Sequence, residues 1–336
     1  MDIRKTFLQQ SYIDNWELFK RSLDPTNSNP YWDIFVITAS NEEQANAYRI
    51  QIDHRKKNRT LPPHTNFIVI ADPDGKRVGS GGATLNALLE IHNSISPSSS
   101  NPFYNKRIVM IHSGGDSKRI PQYSAFGKLF SKVPRELPDG RYSTLFDEFL
   151  ISLSGLPSRM KDGVLIVSGD ALLLLNHNQI DLGRQGAVGI SMKAPAEVGS
   201  RHGVYLAGKH AKVDRFLHKM PVDVLSEKGA VNEQGQVNID TGLIWMDSDL
   251  SYSLVKLLIT DSKTDHLKYD KYINDTLRLN FYGDFLIPMT TDAVLDEYLK
   301  EECEGIYCDE LLEVRRCVEA SPAACHREWE SSTTCI

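Results

Sequence analysis

Four short runs of apolar residues constrain this chain most: WDIFVITA (32–39), FIVIA (67–71), RIVMIH (107–112) and GVLIVS (163–168), each ending in a polar or glycine-bearing turn. Runs of this length without polar alternation read as strands covered on both faces, and the stretches between them carry apolar residues at helical spacing. The pattern predicts an α/β fold: a mostly parallel mixed sheet with helices on both faces. Helices are expected over residues 13–23, 42–56 (with Ser40 as the candidate cap) and 85–92. After residue 185 the texture changes to shorter, glycine-punctuated strands, some antiparallel, at 187–192, 203–206, 213–217 and 239–246, with helices at 247–259 and 292–301. Beyond Glu301 the apolar period fades. The expected organisation is one domain over 1–300 and a poorly defined, cysteine-containing tail over 301–336.

Composition enters mainly by exclusion. The 336 residues carry a net charge of −6, which supplies no overall attraction for nucleic acid or anionic membranes. No apolar run is long enough to span a bilayer, and the first residues lack the apolar core of a secretory signal, so the expected location is cytoplasmic. All five cysteines, at 303, 308, 317, 325 and 335, lie at the C-terminal end. Their spacing contains no Cys-x-x-Cys and their number is odd, which fits neither a zinc site nor a disulfide framework. Oligomeric state is not specified by any of these features.

Three strand-end loops carry residues suited to chemistry, and in parallel sheets ligands collect at the carboxyl ends of the strands. HSGGDSKRIPQYSAFGKLF (112–130) places Gly114 and Gly115 where a backbone can approach a ligand closely, with Lys118, Arg119 and Lys128 able to hold phosphate charge. A tight turn with solvated cations is the alternative. It is not a Walker loop, because Leu129 stands where a magnesium-binding hydroxyl is required. VGSGGATLNALL (78–89) offers Gly79, Ser80, Gly81 and Gly82 at a helix start, either an anion or base-edge site or a packing device. Thr84 and the intervening DPDGKRV segment argue against a dinucleotide fingerprint. LIVSGDALL (165–173) ends a strand in Asp170, and Asp240 in VNIDTGLIWM is the natural second carboxylate for a hard cation such as Mg²⁺. A rival pair, Asp72 and Asp74, matches the Asp-x-Asp pattern of metal-dependent glycosyltransferases, but Pro73 and Gly75 also make it a ready β-turn.

The strings KRVGSGGATLNALLEIH and HSGGDSKRIPQYSAFGK together resemble the GDP-fucose pyrophosphorylase (fucose-1-phosphate guanylyltransferase) domain that begins bifunctional L-fucokinase/GDP-fucose pyrophosphorylases. WDIFVITASNEEQA, RHGVYLA, NIDTGLIWM and NFYGDFL look like further pieces of that domain, so the resemblance covers roughly residues 30–300. It implies a nucleotidyltransferase (glycosyltransferase-A-like) fold that converts GTP and L-fucose 1-phosphate to GDP-L-fucose and pyrophosphate. By it, Gly114 and Gly115 contact the nucleotide and GSGGAT approaches the base and sugar. Arg119 meets the triphosphate, Lys128 the α-phosphate and pyrophosphate side, and Lys219 the sugar phosphate. His202 and Gly203 line the sugar pocket, and Asp170 and Asp240 hold Mg²⁺.

Two departures qualify the transfer. GSGGAT precedes HSGGDSKR, the reverse of the usual order, so the motif order is expected to be permuted with the first strand-helix-strand unit moved ahead of the signature loop. Phe126 also replaces the proline usual before the loop lysine. The residues after 316 do not resemble the expected continuation, and no kinase phosphate loop is found; a truncated or alternative product without kinase activity is the expectation. The alternatives are a pyrophosphorylase for another sugar 1-phosphate or base, a non-catalytic nucleotide-sugar-binding fragment, and a metal-dependent glycosyltransferase using Asp72 and Asp74.

Overall fold

The structure is a computed structural model and describes residues 3–95, 101–113, 123, 127–259, 266–322 and 329–333. Strands β1 (Ile34–Ala39), β2 (Asn66–Ala71), β3 (Arg107–His112) and β6 (Gly163–Ser168) form the parallel part of the main sheet. Between β3 and β6 in the chain, β4 (Lys132–Glu136) and β5 (Tyr142–Thr144) make a separate two-stranded ribbon. Then follow β7 (Ala187–Pro195), β8 (Gly203–Ala207), β9 (Val213–His218), β10 (Gln236–Met246) and β11 (Trp329–Thr333). The main path runs β11-β7-β10-β6-β3-β1-β2, with β8 on β10 and β9 on β8. β10 is antiparallel to all three of its partners, β6, β7 and β8, so the sheet is mixed, and its main path is mostly parallel.

Successive side chains of the central strands leave the sheet on opposite faces, and both faces are buried. Ile34 and Val36, Ile108 and Met110, Val164 and Ile166 join one core. Phe35 and Ile37, Val109 and Ile111, Leu165 and Val167 join the other. The second core is closed by α1 (Ile3–Ser22) through Trp16 and Phe19, by α2 (Glu42–Lys57) through Ala45, Tyr48 and Ile52, and by α4 (Leu145–Ser152). On the first face lie α3 (Gly79–Ser94) and the Ser248–Lys256 helix. No helix among the described residues is long and apolar enough to cross a membrane.

Three local expectations are corrected. The cap of α2 is Asn41, whose Oδ1 accepts the Gln44 N–H at 2.8 Å, while Ser40 donates its own N–H to Gln44 Oε1. GSGG is the first turn of α3 rather than a loop before it. The third concerns the C-terminal region, where the Asp309–Glu319 helix sends Leu311, Val314 and Val318 into the first core and buries Arg315 completely. Its apolar stripe is short and interrupted by that arginine, which hides the period from a hydropathy reading. Cys303, Cys308 and Cys317 are free thiols packed partly against the same core.

Candidate functional site

The carboxyl ends of β1, β2 and β3 open into a cavity of about 420 Å³. Thr38 comes from β1, Asp72 from the turn after β2, His112 from β3, and Gly79 and Ser80 from the first turn of α3. Arg77, Arg278 and Glu304 complete the wall. The glycines allow the backbone of residues 278–281 to lie directly on the helix start. Gly79 has φ +76, a left-handed conformation that favours glycine, and a Cβ there would strike the backbone of Arg278. The Gly81 N–H donates to the Leu279 carbonyl at 2.7 Å, and the Phe281 N–H donates to Ser80 Oγ at 3.0 Å. Gly79 and Ser80 therefore face the cavity, whereas the buried Gly81 and Gly82 serve packing against Phe285 and Val78.

His112 is fixed as a neutral spacer between two threonines. Its Nε2 lies 2.9 Å from Thr84 Oγ1, and that hydroxyl donates onward to the Ser80 carbonyl at 2.8 Å. Thr84 Oγ1 is therefore an acceptor toward the ring, which places the proton on Nε2 and leaves Nδ1 facing Thr38 Oγ1 at 3.4 Å. Burial pushes the His112 pKa down to about 4. The unfolded chain then takes up a proton near pH 6.5 that the folded chain refuses, so stability is full above that pH and falls as pH drops toward 4, by about 2–3 kcal/mol from this residue. Urea unfolding at pH 7.5 and 4.5 should show this loss, and His112→Gln should lose less between the two pH values.

The same contact bears on motif order. Thr84, in the second turn of α3, meets the end of β3, so the glycine turn and the strand leading to Gly114 are neighbours, as a permuted order requires. Gly114, Gly115 and Arg119 themselves lie outside the described residues. The two ends of that segment converge on Tyr48: its hydroxyl is 2.8 Å from Ser113 Oγ, and Gly127, at φ +72, lies where any Cβ would collide with the same hydroxyl. Lys128 follows directly, its Nζ 3.3 Å from Asp170 Oδ2. Asp170 is held from the other side by Ser168 Oγ at 2.6 Å, and the Gly169 N–H donates to the His112 carbonyl at 2.9 Å. Lys128 and Asp170 thus stand together beside the first cavity.

A second cavity of about 310 Å³ adjoins the first, Glu304 lining both. Gly203, Lys219 and Asp240 meet here with Phe216, Tyr282 and Glu301. Gly203 is required by the Phe216 ring, which a Cβ would strike, and Phe216 stacks on Tyr282 with centroids 5.2 Å apart. Lys219 has φ 51, uncommon for a residue with a side chain, and its N–H donates to the His202 carbonyl at 2.9 Å. The His202 side chain is exposed and does not line the cavity. Asp240 sits at a bulge in β10, where Gly242, at φ +76, packs on Ser168. Its Oδ1 accepts from the Tyr205 hydroxyl at 2.8 Å and the Gly242 N–H at 3.1 Å. Burial raises its pKa, opposed by hydrogen bonds from Tyr205 and Tyr282.

The two predicted metal carboxylates thus have separate partners. Asp170 is half-exposed at a strand end, beside a lysine suited to phosphate, which fits a magnesium ion that completes its shell with water and phosphate oxygens. Asp240 is engaged by phenol and amide donors, an arrangement suited to accepting hydrogen bonds. No group of three or more His, Cys, Asp or Glu that could hold a metal occurs among the described residues. Thr38, Arg77, His112, Arg278 and Glu304 were not singled out by sequence reasoning. Only His112, at the end of an apolar run, carried a usable signal.

A model of the fucose pyrophosphorylase domain matches residues 100–319, more than half of the chain. Over 284 residues the chain is 30% identical to the fucose-1-phosphate guanylyltransferase of Mus musculus, covering 78% of this chain and 47% of that protein. It is 30% identical over 268 residues to the bifunctional fucokinase/GDP-fucose pyrophosphorylase of Arabidopsis thaliana, covering 68% of this chain and 25% of the other. The chain therefore spans between a quarter and about half of the length of these relatives. Among solved structures, HddC from Yersinia pseudotuberculosis complexed with GMP-PN aligns at 11% identity and a TM-score of 0.31, over 75% of this chain and 84% of that one, a likeness that carries no argument.

Proposed function

Because the chain belongs to the fucose pyrophosphorylase family, we propose that it transfers a guanylyl group from GTP to L-fucose 1-phosphate in the cytoplasm, giving GDP-L-fucose and pyrophosphate. The observation that carries this reading is the pair of adjoining cavities, one reached by the helix-opening glycines and two arginines, the other by Lys219 and an aromatic wall, with Lys128 and Asp170 beside them. The first offers Arg77 and Arg278 to nucleotide phosphates, and the second offers acceptors and ring faces to a sugar and Lys219 to its phosphate.

In this reading a phosphate oxygen of the sugar attacks the α-phosphorus and the bond to pyrophosphate breaks in line. The attacking oxygen is already ionised at neutral pH, so no general base is needed. Holding two anions together is the main task, and positively charged side chains aimed at the transferring phosphoryl group supply it. Lys128, with Arg119, acts on charge developing toward pyrophosphate, with Gly114 and Gly115 at the phosphates; Lys219 holds the sugar phosphate, and Gly203 and the His202 backbone shape its pocket. Magnesium, when bound, supplies further charge neutralisation; Asp170 would hold it, whereas Asp240 is better matched to a sugar hydroxyl. Pyrophosphate release by the purified chain tests the reading. Release is expected to require Mg²⁺, GTP and L-fucose 1-phosphate together, to be weaker with UTP, and to vanish in Asp170→Asn. Release independent of the sugar phosphate would overturn it.

A further inference from the structure

Asp72 is a shielded carboxylate in the wall of the first cavity with no role in the phosphate chemistry. It caps the short turn Pro73–Gly75 in sequence position only, since its side chain makes no capping hydrogen bond. Among the described residues none donates a hydrogen bond to that carboxylate, and the charge that most favours its ionised form is Arg77; burial raises its pKa to about 7. The other carboxylate of the cavity differs: Glu304 is exposed, and its Oε1 already accepts from Asn280 Nδ2 at 2.8 Å. Asp72 is half-buried, so water satisfies its oxygens while the cavity is open, and a ligand that displaces that water has to supply donors in its place. That ligand group cannot be a phosphate, which a carboxylate repels. A neutral edge with N–H or O–H donors suits it, and Arg77 and Arg278, which line the same cavity, can take an anionic group attached to that edge.

We propose that Asp72 selects the base of the nucleotide, its two carboxylate oxygens accepting the N1–H and the exocyclic N2–H of guanine. Among the common bases guanine presents two such donors side by side, matching the two acceptors of a carboxylate. Adenine and the pyrimidines place an acceptor at one of the positions, and a ring acceptor against a carboxylate is repelled. This assignment rests on the reading that the first cavity takes a nucleotide, and it adds which residue rejects UTP and ATP. It gives Asp72 a role different from metal binding with Asp74, which sits at φ 54 in the turn and does not line this cavity.

The test exchanges one donor–acceptor pattern for its complement. Asp72→Asn keeps the size of the side chain and leaves the turn intact, but presents one acceptor and one donor. Guanine then loses a partner, while xanthine, which carries N1–H and a carbonyl at the second position, gains one. Displacement of a fluorescent GTP analogue from the full chain by GTP and by XTP reads this without requiring turnover. GTP affinity should fall about 10²-fold in Asp72→Asn, the scale expected when a charge-assisted pair is lost, and XTP affinity should rise above that of the native chain. Glu304→Gln should not reverse the preference. Unchanged GTP affinity in Asp72→Asn would overturn the proposal, as would equal weakening of both nucleotides, because ribose and phosphate are identical in the two. A native chain that binds GTP yet releases no pyrophosphate, with the reversal seen in Asp72→Asn, would refute the proposed activity and leave the base assignment standing.

Discussion

Lys128→Ala should lower turnover by about 10²–10³-fold, the scale seen when one preorganised donor to developing charge is removed. Its ammonium lies 3.3 Å from Asp170, with a side chain only 20% exposed, so water replaces it poorly. The lysine is placed by its neighbour: Gly127 takes φ +72 against the Tyr48 hydroxyl, which also holds Ser113, and this aims residue 128 at the strand end carrying Asp170. In the proposed guanylyl transfer the loss should fall on kcat more than on the KM for GTP, because there the charge facing Lys128 grows as the bond to pyrophosphate breaks. Lys128→Arg should recover only part of the rate, since a guanidinium fork does not reproduce a point charge at that distance. Pyrophosphate release over a range of GTP concentrations separates the two constants, and an alanine variant with native kcat would remove Lys128 from the mechanism.

Replacing Arg315 by Met should cost about 3–5 kcal/mol of stability, the range for breaking a buried ion pair and leaving one charge behind. Arg315 and Asp284 are both almost fully buried and meet at 2.8 Å. The guanidinium also donates to the carbonyls of Glu301 at 2.8 Å and Leu299 at 3.1 Å. Asp284 in turn accepts the Asn280 N–H at 2.6 Å, so one arginine ties residues 280–284 to residues 299–302, two segments that wall the second cavity. Urea midpoints at unchanged m would report the loss. Adding Asp284→Asn to Arg315→Met should restore part of it, because the remaining amide carries no charge; a double variant as unstable as the sum of both singles would show that the pair is not coupled.

The parallel half of the sheet was legible because its strands are buried on both faces, and an uninterrupted apolar run such as RIVMIH has no other common explanation. Local rules also named Lys128, Asp170 and Asp240 as candidates and the family resemblance added Lys219, and the structure brings Lys128 to Asp170 and Lys219 to the cavity of Asp240. Their roles were beyond those rules, since Asp240 looks like a strand-end metal ligand until Tyr205 and Tyr282 are seen against it. GSGG was misread because glycine disfavours helix interiors; here close packing by Leu279 and Phe285 outweighs that preference. Phe281 and Ser80 could not be joined from sequence, because 201 positions separate them and the donor is a backbone N–H. The Asp309–Glu319 helix escaped notice because a charged residue, Arg315, is among its fully buried members.

The strand order has a consequence for how the chain is made. β1 lies between β2 and β3, but β2 follows it closely in sequence while β3 begins only at Arg107. At about 5–20 residues per second, β1 and β2 emerge from the ribosome several seconds before the strand that covers the other edge of β1. For that interval the nascent chain presents IFVITA with one row of peptide groups unpaired, an apolar template for another growing chain. A trigger-factor-like or Hsp70-like holdase would find its most urgent binding segment there, and slowing translation between residues 40 and 107 should lower the soluble yield of a protein whose finished fold hides that edge completely.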